Sequence, residues 1–403
     1  MDTPSSSPPS PRLRSNFGYL YGDIFWYGVL AGSTVAFLNV YATRLGATSF
    51  QIGLLTAGPA VTNLLISLPA ARWLERRSLI RATFLSSVWQ RVGYLPLIVL
   101  PWVLSASGSV WALELIILLM SVPGTLLAIS FNAMFAKIVP PEWRGHVVGR
   151  RNALLALSII ATSLLCGQLL DWIPFPLNYQ VVFGVGVIGA ALSSYYLSRI
   201  RASLVLSPPA RKSERDKPLL RLDLLRGPFG PLLAVYLLFY TFQQVPLPIF
   251  PLVWVRELRL SDGEISLGNA LFYISMLLAS MIVGPISARS GHRRVLILGA
   301  LLYGSYPLFI GLAQDATLFW IASLIGGVAW ALASAGLVNR LMERVPPDDL
   351  PAHMALHNLA LNLGMLGGSL IGPALGDALG LREALWIGAG LRLLSGILLG
   401  LWG

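Results

Sequence analysis

Apolar residues run along this chain in long stretches, each ended by a short polar segment. A helix needs about 20 mostly apolar residues to cross the hydrocarbon core of a bilayer. The stretches are continuous rather than alternating, which excludes the strands of a membrane β-barrel. The pattern predicts an all-α integral membrane protein with twelve transmembrane helices, at residues 17–41, 50–71, 80–104, 109–134, 148–172, 178–199, 229–254, 264–288, 294–314, 317–340, 353–378 and 384–403.

Composition supports a membrane protein over a soluble one. The 403 residues are 55% hydrophobic and only 12% charged, whereas a soluble domain carries roughly 25% charged residues. The Pro/Ser-rich start of the chain lacks the apolar core of a signal peptide, and we expect residues 1–15 to form a disordered cytoplasmic tail. The single cysteine, Cys166, excludes an internal disulfide.

The basic residues give the predicted helices an orientation. Alternate loops hold 23 Lys and Arg, and the opposite loops hold only four, which are Arg44, Arg256, Arg259 and Arg382. Because basic loops stay in the cytoplasm, both termini are predicted to be cytoplasmic, in a multi-pass protein of the cell membrane. The same bias explains the net charge of +11 without a nucleic-acid partner.

The two halves of the chain resemble each other. Residues 139–152 align without gaps on residues 345–358, at an offset of 206, and the same offset carries Asp171 onto Asp377. A parallel repeat of two six-helix bundles is a transporter architecture. The predicted domains are an N-terminal bundle at 16–199, a basic cytoplasmic linker at 200–227 and a C-terminal bundle at 228–403.

One loop motif resembles the signature of a known protein family. The stretch from Gly284 to Arg294 resembles the G-x-x-x-D-R-x-G-R-R signature of the major facilitator superfamily, and a degraded copy lies between Ser67 and Arg77. The resemblance implies alternating access by two bundles around a cavity lined by helices 1, 4, 7 and 10. It assigns a cytoplasmic gating motif to Arg72, Arg76, Arg77, Gly284, Arg289, Gly291, Arg293 and Arg294.

The chain also departs from the signature and from two subfamilies. Ala71 and Ala288 stand at the acidic position of the two motif copies. The basic residue that drug/proton antiporters share in the fourth helix is missing, and so is the sugar-porter signature after the sixth. The subfamily is therefore not identified from these motifs.

Polar side chains form stripes on predicted helices, at spacings that place them on one face. An offset of 213 carries Asp23 onto Tyr236 and Tyr27 onto Tyr240, so the stripes of helices one and seven correspond. These stripes are candidate substrate or coupling sites, although Ser, Thr and Tyr also bond neighbouring helices or their own backbone. The candidates are Asp23, Tyr27, Thr34, Glu114, Ser121, Thr125, Asn132, Tyr236, Tyr240, Gln243, Gln244 and Trp330.

Charges within the predicted helices need partners. A mid-membrane arginine costs at least about 2.5 kcal/mol, so Arg91 is expected to pair with Asp23 or Glu114, with substrate binding as the alternative. Asp23 is either a proton-coupling carboxylate or a structural partner. Glu114 either faces the cavity or reaches outer water. Arg392, in the twelfth helix, has no evident acidic partner.

Glycine, proline and histidine add three smaller expectations. The Pro246–Pro251 segment should bend the seventh helix, and the glycines of the eleventh helix should permit close packing. His353 and His357 have metal-ligand spacing but no fixed acidic third ligand, so we predict no metal site.

The predicted function is transport rather than enzymatic catalysis. The chain has no P-loop for ATP, no nucleophile constellation and no expected cofactor. We expect a monomeric secondary transporter in the lipid bilayer, performing proton-coupled efflux of a small organic solute. The alternatives are uptake of a neutral metabolite and a non-transporting sensor or scaffold of the same fold.

Overall fold

The computed structural model describes residues 10–74, 77–201, 221–346 and 349–402, and this part of the chain is helical without strands. The all-α prediction is confirmed. The helices are α1 (Pro11–Leu30), α2 (Ala36–Arg44), α3 (Ser49–Leu74), α4 (Leu79–Val92), α5 (Leu95–Val103), α6 (Ala106–Ile138), α7 (Pro141–Trp172), α8 (Leu177–Ser198), α9 (Phe229–Gln244), α10 (Ile249–Leu252), α11 (Asp262–Ser290), α12 (His292–Leu312), α13 (Ala316–Arg344), α14 (Leu350–Leu379) and α15 (Leu381–Trp402).

Eleven helical segments of the described chain are long and apolar enough to cross a bilayer. The first predicted span consists of α1 and α2, joined by a π-helical turn at Ala31–Val35. The third span is two shorter helices, α4 and α5. Pro96 explains this break, because it has no N–H to donate to the carbonyl four residues earlier. With this divided span, the twelve-span prediction is confirmed.

The structure describes the start of the first helix but only the ends of the predicted linker. Helix α1 begins at Pro11, inside the predicted tail, because the Ser10 hydroxyl caps it by accepting from the Leu13 N–H. Most of the predicted linker lies outside the described residues. At its end, Arg221 donates hydrogen bonds to Asp223 and Asp349. The hydrogen bond from Arg221 holds the pKa of the Asp223 carboxyl below its usual range.

The chain forms two compact units. Unit 1 contains the described parts of residues 1–37, 65–105 and 115–217, and unit 2 those of 38–64, 106–114 and 218–403. The exact boundaries of the two bundles expected from the repeat remain a prediction.

Glycines bring corresponding helices together within each unit. In unit 1, a Cβ on Gly28 of α1 would lie 2.6 Å from Ser158 Cβ of α7, and one on Gly32 would lie 2.7 Å from the Ile159 carbonyl oxygen. In unit 2, Gly372 of α14 lies directly against the Val245 carbonyl oxygen. The close packing predicted for the eleventh span is confirmed. The first and fifth spans therefore meet in unit 1 as the seventh and eleventh do in unit 2.

The seventh span breaks at its prolines, as predicted. Helix α9 ends at Gln244, and the Leu247 N–H bonds the Gln244 carbonyl rather than that of Gln243. The Gln243 carbonyl is instead bound by Arg392 of α15, whose Nη2 lies 2.6 Å away.

Arg392 is 1% exposed, and no carboxylate of the described residues pairs with it. Its Nη1 lies 3.4 Å from the Tyr303 carbonyl oxygen, and its guanidinium carbon lies 4.1 Å from the Tyr303 ring centroid. Backbone carbonyls and an aromatic face thus stabilise this charge. The arginine that had no partner in the sequence caps the broken seventh span.

The α9–α14 contact generates a stability prediction. Gly372→Ala should lower the stability of the protein by about 1–3 kcal/mol, because its methyl group would overlap the Val245 carbonyl. Thermal unfolding of the detergent-purified protein measures this effect. Gly390→Ala is the matched control, since a Cβ there meets no atom within 4 Å. Equal unfolding temperatures for the two variants would contradict the close contact.

Candidate functional site

Four helices of unit 1 bring charged and hydroxyl side chains together within the membrane-spanning region. Asp23 of α1 lies between two arginines, with Oδ1 3.5 Å from Arg91 Nη2 of α4 and Oδ2 3.4 Å from Arg151 Nη2 of α7. Ser193 of α8 donates to Asp23 Oδ1 at 2.6 Å, and Arg91 Nη1 donates to Ser194 at 2.7 Å. We call these five residues the ionic cluster.

Close backbone approach makes the ionic cluster possible. The short Asp23 side chain can reach partners on other helices only if those helices touch α1. Gly28 allows this contact on the α7 side, where Ser158 donates to the Phe25 carbonyl at 2.7 Å. Gly189 allows it on the α8 side, since a Cβ there would lie 2.9 Å from the Trp26 carbonyl oxygen. Small residues therefore set the position of the charges.

The ionic cluster is buried. Asp23 is 4% exposed and Arg91 is 6% exposed, and neither could remain charged there without a partner. The sequence left Asp23 and Glu114 open as partners of Arg91, and the structure selects Asp23. The Arg151 guanidinium also lies 4.4 Å from the Phe131 ring and 5.7 Å from the Phe135 ring. Cation–π contacts therefore add to its stabilisation.

Unit 2 holds a corresponding group of aromatic side chains. The Tyr240 hydroxyl of α9 lies 2.8 Å from His357 Nε2 of α14, and the His357 ring lies 5.8 Å from the Tyr236 ring. The offset that aligns residues 139–152 with 345–358 places Arg151 on His357. The same pairs of spans therefore meet in both halves of the repeat. We call Tyr236, Tyr240 and His357 the aromatic cluster.

The other candidates of unit 1 lie in three kinds of environment: against another helix, bonded to their own helix, or exposed. Thr34 is buried against Gly186 of α8. Ser121 and Thr125 donate to carbonyls of their own helix, at Leu118 and Ser121. Tyr27 interacts electrostatically with Arg91 and Asp23. Asn132 is exposed.

The remaining candidates lie in unit 2. Tyr236 donates to the Leu337 carbonyl at 3.0 Å. Gln244 is buried, and the Gln243 backbone carries the Arg392 contact. Trp330 packs on Tyr303 with ring centroids 5.3 Å apart. One buried oxygen of Glu114 has no hydrogen-bond partner among the described residues. A common cavity for all candidates remains a prediction.

The predicted gating motif lies at helix ends. Gly291 ends α11 with φ of +83°, a left-handed conformation that favours glycine. The Arg293 Nη2 donates to the Gly400 carbonyl at 2.5 Å, and Arg77 stacks over Trp73 at 4.9 Å. Arg72, Arg289 and Arg294 are exposed, Gly284 lies within α11, and Arg76 is outside the described residues.

Sequence reasoning missed Arg151, Ser193 and Ser194, and it considered His357 only as a possible metal ligand. Arg151 is one of the 23 basic residues that set the predicted topology, although the fifth predicted span begins three residues before it. The available signal was the alignment of Arg151 with His357 in the repeat. Both residues lie on helices that contact the polar stripes. Ser193 and Ser194 carried no distinguishing pattern.

Comparison with known proteins gives the family. The model of the Major Facilitator Superfamily matches residues 24–244 and 232–403. This chain belongs to the Major Facilitator Superfamily. It is therefore a membrane protein of a transporter family, which agrees with the motif resemblance.

Solved structures within this superfamily share the fold at low sequence identity. The nucleoside transporter NupG is similar with a TM-score of 0.72 and 12% identity, over 96% of this chain and 98% of that one. The xylose transporter XylE from E. coli, in a partially occluded inward-open conformation, has a TM-score of 0.69 and 13% identity, over 96% and 97%.

A short segment of this chain is similar to a protein of known name. Multidrug resistance protein 2 of Bacillus subtilis (strain 168) is 29% identical over 85 residues. The match spans only 21% of this chain and 21% of that protein, so it does not identify the subfamily.

The buried pair between Asp23 and Arg91 generates a second prediction. Replacing both residues should cost less stability than the sum of Asp23→Asn and Arg91→Gln, with a coupling energy of roughly 1–3 kcal/mol. Unfolding of the four proteins in detergent measures this coupling. In a control cycle, Arg81→Gln replaces an exposed arginine of the same helix and should show almost no coupling to Asp23. Additive effects of Arg91 and Asp23 would refute the pair.

Proposed function

We propose that this chain is a secondary active transporter that moves a small organic solute by alternating access, with protons coupled through Asp23. The observation that supports the proposal is the ionic cluster, in which a carboxylate is buried within a membrane-spanning helix between two arginines. Intramembrane carboxylates of this kind mark proton relays and substrate pathways in transporters.

The ionic cluster also offers a physical route to coupling. Its five residues lie on α1, α4, α7 and α8, so a displacement of these helices would change the partners of Asp23. A carboxylate that loses a cationic partner in a medium of low dielectric constant takes up a proton more readily. A proton on Asp23 and the position of the helices would then depend on each other, which is the requirement for coupled transport.

Efflux is the direction that we propose. Its support is the short likeness to a protein named for multidrug resistance, together with the aromatic side chains beside the ionic cluster. Phe131 and Phe135 offer apolar faces to a solute with an apolar body. We further propose a monomer in the cell membrane with both termini in the cytoplasm, from the loop charge bias.

A proton-flux experiment tests this proposal. Proteoliposomes loaded with a pH-sensitive dye would receive a panel of small aromatic and amphipathic solutes of charge −1, 0 and +1. We expect at least one solute to change the internal pH only when the protein is present. Asp23→Asn should abolish this proton movement, because the exchangeable carboxylate is lost.

Glu142→Gln is the matched control, since Glu142 is an exposed carboxylate in the first turn of α7. It should leave the proton signal unchanged. Proton movement that persists in Asp23→Asn would exclude Asp23 as the coupling group. Absence of flux for the whole panel would favour a non-transporting protein, and solute accumulation inside cells would favour uptake.

A further inference from the structure

The ionic cluster contains one more positive charge than negative charge. Arg91 and Arg151 are both permanently protonated guanidinium groups, whereas Asp23 supplies a single carboxylate. Among the described residues, the other ionisable groups that interact with the two arginines are tyrosines, namely Tyr27 and Tyr94 for Arg91 and Tyr21 for Arg151. No described carboxylate other than Asp23 neutralises either arginine. An excess cation is therefore held where charge is costly.

The hydrogen bonds show which arginine carries the excess. Arg91 uses Nη1 on Ser194 at 2.7 Å and Nη2 on Asp23 at 3.5 Å, and it is 6% exposed. Arg151 reaches Asp23 through Nη2 alone, at 3.4 Å, and among the described residues it has no second acceptor comparable to Ser194. The buried Nε of both arginines lacks an acceptor among the described residues. Its side chain is 12% exposed, twice the value for Arg91. Arg151 is thus the less satisfied and the more accessible of the two.

The side chains around Arg151 restrict which ligand could bind its guanidinium group. Two phenylalanine rings, Phe131 and Phe135, lie within 4.4 and 5.7 Å of its guanidinium carbon. Aromatic faces attract the cation but provide no hydrogen-bond acceptor of full charge. A planar carboxylate matches the guanidinium fork, and an apolar body attached to it would contact the rings.

We propose that Arg151 binds the anionic group of the transported solute, an organic carboxylate of charge −1 with an apolar body. This proposal rests on the transport function proposed above and adds the chemical class of the substrate. The two guanidinium groups would repel a cationic solute, and a neutral solute would gain no charge–charge attraction from Arg151.

Asp23 then competes with the solute for the same guanidinium. Removing the negative charge of Asp23, by a proton or by substitution, frees Arg151 to bind the solute carboxylate. A proton and the anion consequently bind together rather than exclude each other. The two travel in the same direction through the membrane, so efflux of the solute carries a proton outward and is driven by the outward gradient of the solute.

Matched ligand pairs test the proposed substrate class. The full-length protein in nanodiscs would be titrated with aromatic carboxylates and their primary amides, such as 4-phenylbutyrate with 4-phenylbutyramide, and with the corresponding amines. Binding is measured by calorimetry and by the shift of the unfolding temperature. We expect at least one carboxylate to bind about tenfold or more tightly than its amide, and no preference for an amine.

Variants locate the binding group. Arg151→Gln should abolish the preference for the carboxylate, and Arg151→Lys should retain part of it. The neighbouring Arg150→Gln is the matched control, because Arg150 is exposed and stacks on Tyr21 at 5.1 Å; it should keep the preference. Asp23→Asn should tighten carboxylate binding while it abolishes proton movement. A structural role of the ionic cluster alone would not produce this opposite pair of effects.

The outcomes separate this proposal from the function on which it rests. No preference for any carboxylate in the wild type, or an unchanged preference in a folded Arg151→Gln, overturns the anion proposal. Proton-coupled movement of a neutral solute would then leave the transport function intact. Conversely, carboxylate binding that depends on Arg151, without flux in proteoliposomes, supports the binding site and overturns the transport function.

Discussion

The structure depends on the absence of water from the bilayer core, which makes a polar group without a partner in the protein costly. This constraint explains contacts that would be optional in a soluble protein. Asp23 is surrounded by two guanidinium groups and a hydroxyl, and the carbonyl freed at the break of the seventh span is bound by Arg392. Glycines place the helices close enough for these short-range contacts to form. Charge, helix breaks and glycine positions are therefore parts of a single requirement.

The two halves of the repeat keep the same contacts but have different chemistry. Spans one and five meet through Asp23 and Arg151, and spans seven and eleven meet through Tyr240 and His357. Each unit also buries an arginine against its first span, although Arg91 comes from the third span and Arg392 from the twelfth. The packing of a repeat can thus persist while its charges are redistributed. At this contact the N-terminal half has an ionic group, and the C-terminal half has an aromatic one.

The fold was predictable from sequence because hydropathy, loop charge and repeat offset are written directly in the chain. The pairing of Arg91 with Asp23 was one of two expected solutions, since an unpaired charge would have been too costly. Arg151 was missed because a basic residue near a cytoplasmic helix end looks like a topology signal. Ser121 bonds the carbonyl of Leu118 in its own helix, a contact that leaves the same periodicity as a cavity-facing hydroxyl. Local polarity therefore predicted candidates better than it predicted their partners.

The cap on the broken seventh span has a consequence for biosynthesis. A ribosome delivers the prolines near residue 246 long before it delivers Arg392, almost 150 residues later. During that interval the Gln243 carbonyl must be satisfied by the translocation machinery, by water or by a temporary neighbour. Arg392 in turn enters the membrane as an uncompensated cation until it reaches that carbonyl. The contact that closes the broken seventh span can therefore form only after the last helix has been inserted.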